Sequence, residues 1–129
     1  MMVLSEYRKD ETSNLFAYGT LISPRIFQEI ALCMPERIPA WLSGYRRFCI
    51  KNASYPGIVP WPGGKVSGIL YKDMPTSSWK LLDEYEGMIY ERKKVRITML
   101  GGETIDAFAY VVRQEFVNLI EKVPWRQGC

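Results

Sequence analysis

No histidine occurs anywhere in these 129 residues. That absence excludes the Ser-His-Asp and Cys-His nucleophile systems and the usual histidine-based zinc and non-haem iron sites. Any catalysis must run on carboxylates, tyrosines, lysines, backbone groups or groups that a substrate itself brings. Cysteine is scarce as well. Cys33, Cys49 and Cys129 form an odd, widely spaced set that fits neither a zinc pattern nor a disulfide framework. A reducing, cytoplasmic setting is therefore expected, with Cys33 and Cys49 as buried small apolar residues. Long hydrophobic runs are missing, the apolar stretches being short, such as Ile69-Leu70-Tyr71, so no membrane span is expected. Charge of one sign is not in excess either: a net +3 is too small to imply a nucleic-acid partner. No repeat, low-complexity run or Pro/Gly/Ser linker divides the chain. Residues 1–14 carry scattered charges and lack the apolar centre of a secretion signal, so they read as a flexible leader before a single domain over 15–129.

What is present is an ordinary globular balance, 47% hydrophobic and 24% charged, in a chain long enough to bury one core. Leu15-Phe16-Ala17-Tyr18 is a short apolar run that stops at Gly19 and predicts a buried strand. Ser23-Pro24 pairs an N-cap with a proline at the first helical position, opening a short helix through Ile26, Phe27 and Ile30. Ile38 to Ile50 predicts one or two strands with a bulge or bend at Gly44. Ala53 to Gly64, rich in Pro and Gly, predicts a loop. A strand over Val66 to Lys72 follows, then a helix from Pro75-Thr76-Ser77-Ser78 to a stop at Gly87. Arg92 to Leu100 and Glu103 to Val112 flank Gly101-Gly102, a hairpin signal. A short helix around Phe116 to Lys122 is expected to close the domain, with Pro124-Trp125 packing the tail back. The expected fold class is α+β, a small mixed β-barrel with flanking helices.

The sharpest chemical signal lies on the second helix. At 100° per residue, Trp79, Leu81, Leu82 and Tyr85 make the apolar arc, and Lys80, Asp83 and Glu84 the polar one. Glu86 falls between Leu82 and Trp79, inside the apolar arc. A carboxylate there loses water, which raises its pKa, and it sits in the last turn, where the helix dipole disfavours negative charge. A residue that breaks two local rules is a candidate for function. The competing reading is that Glu86 turns out into solvent past the helix end or pairs with a nearby cation.

A second candidate is the corner Tyr18-Gly19-Thr20-Leu21, between the first strand and the Ser23-Pro24 helix. Gly19 permits a tight turn or a close approach, and the N–H groups that follow can converge on an anion. With one glycine and no lysine it is no phosphate-binding Walker loop, and an ordinary strand-to-helix connection has the same look. Tyr110 lies in the alternating stretch 107–112. If Phe108, Tyr110 and Val112 share the inner face, its hydroxyl needs a partner there. Arg92, Lys94 and Arg96 on one strand face read as a solvated outer surface, and Trp41 and Tyr45-Arg46-Arg47-Phe48 as core and rim packing, rather than as a site for RNA.

Taken in order, Phe16-Ala17-Tyr18-Gly19-Thr20-Leu21, Tyr55-Pro56-Gly57-Ile58, Val66-x-Gly68-x-Leu70-Tyr71, Leu82-Asp83-Glu84-Tyr85-Glu86-Gly87-x-x-Tyr90-x-Arg92-x-x-Val95 and Ala109-Tyr110 resemble the γ-glutamylcyclotransferase-like family over residues 15 to 113. The Tyr-Gly-Thr-Leu form is most similar to its γ-glutamylamine branch. The resemblance implies a small mixed β-barrel with flanking helices. It also implies an enzyme that cyclises a γ-glutamyl group to 5-oxoproline and releases the attached amine or amino acid. Carried over by motif, Glu86 would be the acid/base, Tyr18, Gly19, Thr20 and Leu21 would bind the γ-glutamyl moiety, and Tyr110 would help to hold it. No metal or cofactor is implied, and the partner is a small γ-glutamyl compound. The alternative use of the same pocket is non-catalytic, a module that binds or senses a small metabolite.

Overall fold

The computed structural model describes residues 13–124. Six strands, β1 (Leu15–Ala17), β2 (Arg37–Ile50), β3 (Pro56–Tyr71), β4 (Tyr90–Met99), β5 (Thr104–Val112) and β6 (Ile120–Pro124), combine with helices α1 (Pro24–Ala31) and α2 (Thr76–Glu86). Two 3-10 turns, Thr20–Ile22 and Gln114–Leu119, complete the set. The sheet runs β3-β1-β5-β4-β2, and β2 pairs again with β3, so five strands close on themselves. β1 meets β5 in parallel at Leu15 and Phe108, whereas the other pairings are antiparallel. The result is the expected closed mixed barrel.

β2 and β3 are long because each serves twice. Arg37–Ser43 pairs with Lys65–Tyr71 in the barrel wall, and beyond a bulge Tyr45–Cys49 pairs with Pro56–Pro60. Gly44 sits at the bulge with φ 85°, a left-handed conformation that suits glycine. The segment read as a loop over Ala53 to Gly64 is therefore a strand from Pro56 onward. Its prolines misled the reading, but this half of β3 pairs only with β2 among the described residues, and a strand with one free side tolerates residues that lack an N–H. The helix expected at Phe116 to Lys122 is instead the turn Gln114–Leu119 followed by β6, which pairs with β2 at Ile50 and Phe48. Trp125, most of the proposed leader and the last residues lie outside the described residues.

Two apolar clusters hold this together. One, made of strand residues together with Tyr18, fills the barrel: Phe16, Leu42, Ile58, Leu70, Ile97 and their neighbours. The other lies between barrel and helices, where Leu15, Ala17 and Tyr71 meet Phe27 and Ala31 of α1 and Leu82 of α2. Phe27 stacks flat on Tyr71, ring centroids 3.8 Å apart. Each such large side chain contributes about 1.5–3 kcal/mol by leaving water.

The helix ends follow their sequence signals. Ser23 Oγ accepts from the Ile26 N–H at 3.4 Å, Pro24 occupies the first turn, and Gly87, φ 78°, stops α2. The buried Ser78 hydroxyl donates to the Ala31 carbonyl at 2.6 Å and ties α2 to α1. Cys33 is a half-buried free thiol, and Cys49 is half-buried and disulfide-bonded. The expectation of free, buried thiols is thus corrected for Cys49, since spacing along the chain does not report distance in space. Among the described residues no helix is long and apolar enough to cross a membrane.

Candidate active site

A cavity of about 200 Å³ opens where the end of β1, the start of β3 and the last turn of α2 meet. Tyr18, Gly19, Thr20 and Leu21 form one wall, Tyr85 and Glu86 another, and β1 (Leu15, Phe16 and Ala17) with Tyr55, Pro56, Tyr90 and Tyr110 the remainder. The six residues singled out from the sequence thus border one space. Of the other seven, Tyr55, Pro56, Tyr85 and Tyr90 went unremarked as site residues, although the segments quoted for the family resemblance contained them, and Leu15, Phe16 and Ala17 enter the sequence reading only as a buried strand.

The local structure explains how the corner presents itself. The Ile22 N–H bonds to the Gly19 carbonyl at 3.0 Å and the Ser23 N–H to that of Thr20 at 3.2 Å, forming the 3-10 turn. Tyr71 Oη donates to the Leu21 carbonyl at 2.7 Å, and Arg47 donates to that of Tyr18. All four carbonyl acceptors of the corner are engaged, while the first N–H groups of a turn have no partner inside it. What the backbone has left to offer a guest is donors. Gly19 is required here by the protein itself: a Cβ at this position would fall 2.9 Å from Pro56 Cγ, so the corner and the start of β3 touch only because that atom is absent.

The tyrosines are fixed through their hydroxyls. Tyr18 donates to the Tyr110 carbonyl and Tyr90 to the Pro56 carbonyl, each at 2.6 Å, and Tyr110 donates to Asp83 Oδ1 at 2.6 Å. Burial raises the pKa of all three above the ordinary phenol value, reinforced for Tyr110 by the Asp83 carboxylate. They remain neutral at physiological pH, which leaves Glu86 as the titrating group of the cavity wall.

Glu86 is half-buried at the end of α2, one turn beyond the fully buried Leu82. Burial, with the negative charge of Asp83 adding to it, pushes the Glu86 carboxyl from 4.5 up to about 7. The helix wheel had also set Asp83 on the polar arc with Lys80 and Glu84. Asp83 in fact stands at the edge of that arc and turns toward β4 and β5, where it meets Tyr110 and Arg92. Arg92 correspondingly leaves the solvated face of Lys94 and Arg96 and lies half-buried over the rings of Trp79 and Phe108. β5 is buried on both sides: Ala107, Ala109 and Val111 fill the barrel, while Tyr110 and Val112 face the helix layer. Arg46 stacks on Phe48 and Trp61, each at 5.3 Å. No group of three cysteine or carboxylate side chains that could hold a metal ion occurs among the described residues.

A closed mixed barrel flanked by helices is the architecture of the γ-glutamyl cyclotransferase-like proteins. The chain superposes with a TM-score of 0.76 on a solution structure from Arabidopsis thaliana, at 27% identity over 89% of this chain and 78% of that one. It superposes with a TM-score of 0.71 on a structure of a gamma-glutamyl cyclotransferase, covering 80% of this chain and 68% of that one. At 21% identity, that second likeness is one of fold. Residues 15–127 match the profile of the family described as gamma-glutamyl cyclotransferase, AIG2-like, and the chain belongs to that family. AIG2-like protein C of Arabidopsis thaliana is 37% identical over 99 residues, 76% of this chain and 58% of that protein. The chain spans less than two thirds of the length of the curated relatives it matches.

Proposed function

We propose that this chain is a γ-glutamyl cyclotransferase, closing a γ-glutamyl group into 5-oxoproline and releasing the attached amine or amino acid. In this reaction the nucleophile belongs to the substrate. Its α-nitrogen forms a bond to its own γ-carbonyl carbon, and the bond from that carbon to the leaving nitrogen breaks. The α-ammonium gives up one proton before the attack and a second as its nitrogen becomes the lactam N–H, and the leaving nitrogen takes up both to depart as an ammonium. Glu86 carries protons from the first nitrogen to the second.

The single observation behind this reading is a half-buried carboxyl, raised to about 7, bordering the same cavity as the Tyr18–Leu21 corner. A group titrating near neutrality both accepts and returns a proton under working conditions. The free N–H groups of the corner suit the α-carboxylate, or the carbonyl oxygen as charge develops on it. Ring closure is intramolecular, so most of the task is to hold the chain folded on itself, which tyrosines fixed by their own hydrogen bonds are rigid enough to do. No step calls for a histidine, a metal or a cofactor. Membership of the family supports the same reaction class.

The test incubates the protein with a panel of γ-glutamyl amino acids, γ-glutamyl amines and glutathione and measures 5-oxoproline. Turnover of at least one compound is expected. Glu86→Gln should lower kcat by roughly 10²–10⁴-fold with an unchanged circular dichroism spectrum. Full activity in that variant would rule out the proton route described. A panel without turnover, in which a γ-glutamyl compound nonetheless raises Tm, would indicate a binding or sensing module.

A further inference from the structure

Asp83 lies one turn before Glu86 on α2, and each of its carboxylate oxygens faces a partner. Oδ1 accepts from the Tyr110 hydroxyl at 2.6 Å, and Oδ2 lies 3.4 Å from a guanidinium nitrogen of Arg92. Arg92 stands directly opposite Tyr110 in the β4–β5 register. Its guanidinium sits 4.7 Å from the Trp79 ring centre and 4.9 Å from that of Phe108, and those two rings meet edge to face at 5.3 Å. An aromatic pair thus holds Arg92, Arg92 faces Asp83, and Asp83 accepts the hydrogen bond that the Tyr110 hydroxyl donates. An ionised carboxylate has no hydrogen to give, so the direction of that last bond is fixed. With its hydrogen committed, the Tyr110 oxygen keeps only lone pairs for other partners.

We propose that Asp83 is a positioning residue of this site: it makes the Tyr110 phenol a hydrogen-bond acceptor at the cavity wall, where it receives the protonated α-amine of a γ-glutamyl guest, and it fastens that phenol to the helix carrying Glu86. The proposal rests on the reading of the cavity as a γ-glutamyl site. An exposed ion pair between Asp83 and Arg92 would by itself be worth little. What distinguishes this one is the buried Tyr110 side chain at its inner end, 5% exposed and part of the cavity lining.

The groups around Glu86 limit what else could act on it. Tyr18 from the corner after β1, Tyr90 and Tyr110 from the strands and Tyr85 from α2 are all raised by burial and stay neutral. Asp83 is the charge beside Glu86 on its own helix, Arg92 stands behind Asp83 on β4, and Arg47 of β2 reaches the Tyr18 carbonyl. Removing the charge of Asp83 and removing that of Arg92 should therefore have opposite effects on Glu86.

The experiment follows the Glu86 side-chain carboxyl by NMR through a pH titration of the full chain, alone and as Asp83→Asn and Arg92→Gln. Asp83→Asn should lower the midpoint and Arg92→Gln should raise it. A purely structural role would instead loosen the layer in both variants, admit water and lower both midpoints. Two downward shifts, or none, would overturn the proposal. On the γ-glutamyl compound turned over best, Asp83→Asn and Tyr110→Phe should each reduce kcat/KM roughly tenfold, and the double variant should be no worse than either. Additive losses would overturn the proposal while leaving the cyclisation reading intact. If the panel gives no turnover, the titration alone decides on Asp83.

Discussion

The two sides of β5 make different proteins of the same strand. Toward the barrel it presents Ala107, Ala109 and Val111, each nearly or fully buried against aliphatic neighbours. Toward the helices it presents Tyr110 and Val112, and in that layer Tyr71, Tyr90 and Tyr110 each direct a hydroxyl to a named acceptor. A closed sheet uses up its own backbone groups and leaves little room for polar ones. The junction between sheet and helix fits less tightly, and carbonyls at turns and helix ends supply partners there. The site belongs to that junction, and the barrel interior serves as the mould that fixes it.

Cavity-creating substitutions would test this contrast most strongly. Ile97→Ala in the barrel and Leu82→Ala under α2 both empty fully buried positions and should each cost about 2–5 kcal/mol in urea unfolding. Ile97 is expected at the upper end because a closed ring of strands cannot settle into the gap, whereas α2 can. Leu82→Ala should also depress 5-oxoproline formation, since it loosens the helix that carries Glu86.

Next comes a pH effect confined to the junction. The Glu86 carboxyl titrates at about 7 in the folded protein against 4.5 ordinarily, so the folded state holds that proton more tightly. Its stabilising effect is complete below about pH 4.5 and is lost as pH rises through 7, a difference of about 3 kcal/mol. Tm should fall between pH 5 and pH 8, and Glu86→Gln should flatten that slope. Smaller still, Tyr71→Phe removes the donor to the Leu21 carbonyl and should cost about 1 kcal/mol by thermal unfolding. At the bottom of the scale, Arg25→Ala breaks the exposed i,i+4 contact with Glu29, 3.9 Å apart, and should change stability by no more than about 0.5 kcal/mol.

Much of this layout was legible before any coordinates. The Ser23-Pro24 cap, the Gly44 bulge, the Gly101-Gly102 hairpin and the stop at Gly87 are local features, decided by residues within a few positions of each other. The position of Glu86 on the wheel was legible for the same reason. What escaped were matters of pairing. Pro56 and Pro60 look like loop residues until β2 is known to lie beside them on one side. The Asp83 side chain looks solvated until β4 and β5 bring Arg92 and Tyr110 to it, 9 and 27 positions further along the chain. The hydroxyl directions of the tyrosines depend on partners 27 to 92 positions away, which no periodicity encodes.

The seam of the barrel has a consequence for how the chain reaches this state. β1 is three residues long, yet it alone joins β3 at Tyr71–Ile69 to β5 at Phe108. Asn14 pins both sides of it, its amide donating to the Asp106 carbonyl and its side-chain oxygen accepting from the Asp73 N–H, each at 3.0 Å. The earliest strand must wait for one of the last before the ring can shut. Closure therefore brings together segments more than 90 positions apart, an ordering that favours slow, late consolidation over stepwise assembly. The Tyr18–Leu21 corner continues directly from that strand, so the pocket should take shape only in the final stage of folding.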